Sequence, residues 1–300
     1  MKTVTGVEQH ERTLRQLELV VTRRLDGLLH GDHQGLVAAA GTDLAEAREY
    51  RVGDDVRHMD WNLTARTTVP HVRDTVAERE LETWLVVDRS ASMDFGTARC
   101  LKRDLAVAAV AAFAFLANRA GNRTGALLLE PGGPSVVPAR TGREASLALL
   151  HRLVAAEAAP GPGAHDLAAG LVLAGRLARR RGLVVVVSDF LGPEPSRWAP
   201  ALRRLGGRHQ LVAVEIRDPR EAELPPVGLL TLVDPETGAR IEVQTNKARL
   251  RRRFAEAAAH QRAATAAAIR AAGGRHLVLS TDRDWLTDLV QAVARWRRHR

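Results

Sequence analysis

The sequence predicts an α/β fold, a doubly wound and mostly parallel sheet over residues 81–300, preceded by a helical and loop-rich segment over residues 1–80. Three observations predict it. From residue 83 onward, apolar runs of strand length alternate with helical patterns, the order of parallel βαβ units. Two runs, TWLVVD (83–88) and LVVVVSDF (183–190), are almost wholly apolar, which suits strands covered by helices on both faces. Only PGGPSVVPART (131–141) and VGLLTLVDPETGARIEVQT (227–245) carry turn signals between shorter runs, as an edge strand and a hairpin would.

Taken in order, residues 12–30 (RTLRQLELVVTRRLDGLLH) place apolar side chains at helical intervals and predict an amphipathic helix. A Gly-rich loop leads to a compact polar block, AREYRVGDDVRHMDWNLTAR (47–66), and a short extended piece, PHVRDT (70–75). After TWLVVD comes a long helix (101–120), then the strand TGALLLE (124–130) and the edge strand just named. Two helices (143–157 and 166–181) lead to LVVVVSDF. A helix near 196–206, the strand HQLVAVEI (209–216) and the hairpin follow. A helix from Lys247 to Ala272, the strand HLVLS (276–280) and a last helix from residue 284 complete the pattern.

Composition narrows the class of protein. Hydrophobic residues make up 45% and aromatics 4%, so a large core is available and is built mainly from Ala, Val and Leu. Cys100 is the single cysteine, which excludes an intramolecular disulfide and a cysteine metal cluster and suits a reducing cytoplasm, the expected location. No stretch approaches the roughly 20 apolar residues of a membrane span, and MKTVTGVEQHERTLRQLEL lacks an apolar leader core. A net charge of +9 raises nucleic acid as a partner, with arginines concentrated at 248–254 and 295–300. No zinc-finger spacing or RNP-type motif accompanies them, so nucleic-acid binding stands as the competing class rather than the main one.

In doubly wound sheets, sites gather at the carboxyl ends of strands. TWLVVD ends in Asp88, with Ser90 and Ser92 at alternate positions after it, and LVVVVSDF delivers Asp189. Two carboxylates and two hydroxyls on one rim are hard oxygen donors of the kind Mg²⁺ accepts. The competing reading makes the serines helix caps and Asp88 an acceptor of loop amides; on the metal reading Asp88 sits in a surface loop and is replaceable by Ala without harm to the fold.

Asp88-Arg-Ser90-Ala-Ser92 resembles the DxSxS motif of von Willebrand factor A domains, a Rossmann-like fold whose metal-ion-dependent adhesion site adds a threonine from a second loop and an aspartate after a later strand. The resemblance assigns Asp189 to that aspartate. His165 stands where the threonine is expected, and Asp166 beside it is a possible substitute; imidazole suits transition metals better than Mg²⁺. The block at 47–66 resembles the signature of the bacterial family called domain of unknown function 58, through Arg48, Tyr50, Gly53, Asp54, Asp55, Arg57, Asp60, Trp61, Ala65 and Arg66, with Met59 at the usual isoleucine. That resemblance implies a von Willebrand A-like domain after the block. It also implies a MoxR-type AAA+ ATPase as partner, in complex assembly or chaperone-like maturation. Within the block, mixed charges suit bidentate pairs that pin the segment to the main domain, with Tyr50 and Trp61 as buried anchors; a docking surface is the rival role.

Enzyme signatures are missing. Ser90 stands where a haloacid-dehalogenase-like phosphatase needs its second acid, and no Walker loop, GxSxG elbow or HExxH occurs. A non-enzymatic interaction module is therefore expected, assisted by Mg²⁺ or another divalent cation at Asp88, Ser90, Ser92 and Asp189; a degenerate, metal-independent A domain is the alternative. Cys100 and Trp198 read as core residues, His71 and His209 as edge or surface residues.

Overall fold

A computed structural model describes residues 47–56, 59–73, 81–155, 166–192 and 194–298. The expected helix at 12–30, Arg57 and His165 lie outside the described residues. The main sheet has six strands: β3 (Glu82–Asp88), β4 (Arg123–Glu130), β5 (Gly133–Arg140), β6 (Gly182–Ser188), β7 (Gln210–Arg217) and β10 (Arg275–Ser280). Their spatial order is β10-β7-β6-β3-β4-β5. All neighbours are parallel except β5, which returns antiparallel along β4 as the edge. The strand sequence runs outward from β3 in both directions, which is the doubly wound arrangement the alternating pattern predicts.

Side chains of one strand point alternately to the two faces, and each face has its own core. Leu85 and Val87 of β3 pack under α2 (Lys102–Arg119), α3 (Arg143–Ala155) and α7 (Trp285–Arg298), with Phe113, Leu150 and Leu289. Trp84 and Val86 face α4 (Leu167–Leu177), α5 (Pro195–Gly206) and the end of α6 (Ala248–Ala271), with Leu171, Trp198 and Ile269. Helix α2 is buried almost all round from Leu105 to Ala117. Alanines there let it lie close against the sheet, where larger side chains would hold it off. Trp198 is in the core as expected; Cys100 is half-buried at its border, and His209 is buried rather than superficial.

Two small two-stranded sheets are separate from the main one. β8 (Leu229–Val233) and β9 (Arg240–Gln244) form the expected antiparallel hairpin. β1 (Ala47–Glu49) pairs antiparallel with β2 (His71–Arg73), and α1 (Trp61–Thr67) lies between them in the chain. Asp60 starts α1 as its N-cap, accepting the amides of Asn62 and Leu63 at 3.1 Å. Arg48 forms the bidentate pair foreseen for this block with Asp54, at 2.7 and 2.8 Å, but the pair closes the segment on itself. Arg48 and the Arg51 amide hold the Asp54 carboxyl down to about 2. Trp61 corrects an expectation. It is 69% exposed, so it anchors nothing by burial.

Among the described residues, no helix is long and apolar enough to cross a membrane. Close backbone approach is most demanding at Gly182, which pairs with Glu82 where β6 enters the sheet. A Cβ at Gly182 would sit 2.0 Å from the Glu82 carbonyl oxygen. Gly182→Ala should therefore cost at least about 2 kcal/mol of stability, read from the urea midpoint, because two central backbones must separate. A loss within about 0.5 kcal/mol, as for an ordinary surface change, would show that this junction yields freely.

Candidate functional site at the strand-end rim

β3 and β6 lie side by side in parallel register, Val87 opposite Val187, so both chains leave the sheet at the same level. Asp88 is the last residue of β3, and Asp189 follows Ser188 at the end of β6. The Ser188 hydroxyl donates to Asp88 Oδ2 at 2.6 Å and ties the two strand ends together. Asp88, Ser188 and Asp189 line a cavity of about 220 Å³, together with Asp166, Arg197 and, from the β8–β9 turn, Glu236. The two aspartates a hundred residues apart thus share one edge of the sheet.

After Asp88 the chain turns through a 3₁₀ segment, Ala91–Asp94. Asp88 Oδ1 accepts the Ser90 amide at 2.8 Å and the Ser90 hydroxyl at 2.7 Å, and the Ser90 and Ser92 oxygens lie 2.9 Å apart. Ser90 makes no capping bond with its side chain, so its hydroxyl serves the carboxylate and not the helix start. The placement of Asp88 on a surface loop is overturned. It is 4% exposed and receives three donors, so Asp88→Ala would take the acceptor from the Ser90 amide and the Ser188 hydroxyl in a buried setting.

Lys102 is the residue that sequence reasoning missed. It opens α2, is fully buried, and places Nζ 2.6 Å from Asp189 Oδ2 and in hydrogen-bond contact with Glu221 Oε1. Burial alone would pull this ammonium down, but the charges of and hydrogen bonds to Asp189 and Glu221 outweigh it and raise its pKa above the ordinary lysine value. Asp189 Oδ1 is engaged as well, by the Leu191 amide at 3.0 Å. Glu221 is held through its other oxygen by the Asp218 amide at 2.9 Å. Asp218, the residue after β7, accepts from Thr97, Thr281 and Arg220. Burial would raise its carboxyl, but the hydrogen bonds from Thr281 and Thr97 hold it below the usual aspartate range. Three strand ends therefore carry an aspartate: β3, β6 and β7.

The donor set of a divalent site is only partly assembled. Asp166 caps α4, accepting the amides of Ala168 and Ala169 at 2.9 and 3.2 Å. Among the described residues, no three His, Cys, Asp or Glu side chains come together in a group fit to hold a metal ion. An internal ammonium already neutralises Asp189, so these residues do not fit a resident Mg²⁺ as they stand. Phe190 follows Asp189 with φ 53°, a left-handed conformation that costs a bulky residue about 1 kcal/mol or more. Its buried ring packs on Trp198 at 5.3 Å between centroids, and its amide bonds to Ser188 Oγ at 3.0 Å, which holds the turn in place. Two slight signals in the sequence point to Lys102. It is one of only three lysines among 44 basic residues, and it lies 14 residues after Asp88, at the head of an apolar helix.

A parallel sheet wound outward from β3, with the DxSxS-type loop at its strand end, defines a von Willebrand factor A-like domain. The chain belongs to the family described as Protein of unknown function DUF58, which it matches over residues 46–264. An uncharacterized protein of Mycobacterium tuberculosis strain H37Rv is 52% identical over 285 residues, covering 95% of this chain and 89% of the relative. An uncharacterized protein of Mycobacterium avium is 44% identical over 162 residues, 54% of this chain and 94% of the relative. Among solved structures, the conserved hypothetical protein BatB from Bacteroides thetaiotaomicron matches with TM-score 0.50 and 14% identity, over 73% of this chain and 99% of that one; the likeness is one of fold. The SpRpn10 VWA domain aligns with TM-score 0.40 and 13% identity, over 70% and 93%.

Lys102→Met keeps the bulk of the side chain and removes its charge, leaving Asp189 and Glu221 facing each other without a counter-ion. A loss of about 3 kcal/mol in urea unfolding is expected, against under about 1 kcal/mol for an exposed lysine. Because the folded-state pKa of Lys102 is raised, its contribution is complete below the ordinary lysine value and fades as pH climbs through the raised one. Wild-type stability should fall on the alkaline side more steeply than that of Lys102→Met. Parallel alkaline profiles for the two proteins would refute the ion pair's part in stability.

Proposed function

We propose that this chain is a non-enzymatic protein-interaction module that docks a partner at the rim formed by the ends of β3 and β6. One observation carries the reading: Asp88 and Asp189 meet at a cavity on the carboxyl edge of the sheet, where doubly wound folds take their ligands. The Ser90 and Ser188 hydroxyls at this edge both donate to Asp88 and fix its carboxylate in place, which suits a preformed docking rim. The family resemblance supports a MoxR-type AAA+ ATPase as the partner, in complex assembly or chaperone-like maturation in the cytoplasm. The segment before residue 81 would then be a separate unit bearing the signature residues, and the exposure of Trp61, Val52 and Val56 there supports a second contact with that partner.

Two modes of docking differ in the ion. The DxSxS-type loop supports a cation-assisted contact with an acidic residue of the partner, and the buried Lys102–Asp189 pair supports a contact without metal. The test is direct binding of a purified MoxR-type ATPase to the immobilised protein. Arg197, exposed at the cavity wall, is reversed to Glu as the rim probe. Affinity should drop at least about tenfold with Arg197→Glu, a change of about 1.4 kcal/mol, and stay the same with Glu144→Lys, exposed in the first turn of α3 after β5 has returned to the opposite edge of the sheet. Equal affinity for Arg197→Glu and wild type would sink the rim as the dock. Loss of binding in EDTA would assign the cation-assisted mode.

A further inference from the structure

We infer that the Lys102 ammonium stands in for the divalent cation at this rim, so that the site is assembled without metal, and that removing the ammonium converts the rim into a divalent-cation site. The inference deepens the reading of the rim as a dock and concerns its chemistry alone.

Four observations lead to it. Asp189, the carboxylate that the fold's metal-dependent form would present to an ion, has Oδ2 2.6 Å from Nζ and Oδ1 on the Leu191 amide. The same nitrogen holds Glu221, so one buried positive charge already faces two buried negative ones. A dication brought beside it would meet like charge at short range in a medium that screens poorly. Second, the loop's hydroxyls are turned inward: Ser90 Oγ donates to Asp88 Oδ1 and Ser188 Oγ to Asp88 Oδ2.

Third, the position is a costly one for a lysine. Nζ is removed from water, and Lys102 is the first residue of α2, the end of a helix at which positive charge is disfavoured. Asp189 and Glu221 are what offset both penalties. Fourth, residue type matters. In a chain that uses arginine for nearly all its basic positions, this one is a lysine. An ammonium is a compact point charge with three donors, nearer in form to a metal ion than the planar fork of a guanidinium.

The experiment titrates Mn²⁺, a divalent ion that is read by its paramagnetism, into the full chain, by calorimetry and by the electron-spin signal of free Mn²⁺. Wild type should show no saturable uptake. Lys102→Met should bind one Mn²⁺ at least about tenfold more tightly than wild type, the least expected from removing a unit charge beside the ion, and its melting temperature should rise with Mn²⁺. Asp88→Asn in the Lys102→Met background should abolish that binding. Stoichiometric Mn²⁺ uptake by wild type that Asp189→Asn abolishes would overturn the inference, and so would a folded Lys102→Met with no Mn²⁺ site. If Lys102→Met folds only when Mn²⁺ is added, the ion is replacing the ammonium and the inference stands. If it folds in neither condition, the wild-type titration decides. No partner enters these measurements, so failure of the ATPase to bind would count against the dock and leave this result untouched.

Discussion

The ion pair between Lys102 and Asp189 is the interaction on which the rim depends. Asp189 leaves β6 and Lys102 starts α2, so the pair locks a strand end to the helix beside it. Glu221 extends the lock to the segment after β7, and Asp218 passes it on to Thr97 and Thr281, near the starts of α2 and α7. A buried charge without a partner is among the costliest defects a fold can carry, so each member of this chain of contacts makes its neighbours necessary. The Asp88–Ser90–Ser92 loop is set against it through Ser188, which links the β3 and β6 ends.

That network is possible because the sheet beneath it is rigid. β3 and β6 are buried on both faces, and their ends cannot shift without disturbing two cores at once. The small side chains of α2 set how near its first residue comes to the rim, and thereby bring Lys Nζ within reach of Asp189. Backbone strain is placed at the same spot: Phe190 keeps its left-handed turn because its ring is held by Trp198 and its amide by Ser188. Core packing, local strain and charge thus converge on a few residues at the carboxyl edge.

Much of this was legible in the sequence because it rests on local patterns. Near-continuous apolar runs such as LVVVVSDF identify buried parallel strands, and the alternation with helices leaves few possible topologies. The DxSxS-type loop and the aspartate after β6 were readable as strand-end residues for the same reason. Other features were opaque. Lys102 reads as an ordinary basic residue at a helix start, since nothing nearby in sequence announces partners 87 and 119 residues away. Asp88 reads as a loop residue because burial depends on what other strands bring over it. Trp61 and Tyr50 suggested anchoring by their size alone, whereas the exposure of Trp61 is set by where the short β1–β2 ladder leaves α1.

By itself, then, the sequence determined the α/β class, the element order, the family and the two aspartates at strand ends, because side-chain periodicity and motif spacing are properties of neighbouring residues. Tertiary structure alone decided what those aspartates face. Whether a carboxylate meets a metal, water or an ammonium depends on which distant helix start the packing delivers to it, and here packing delivers Lys102 to Asp189.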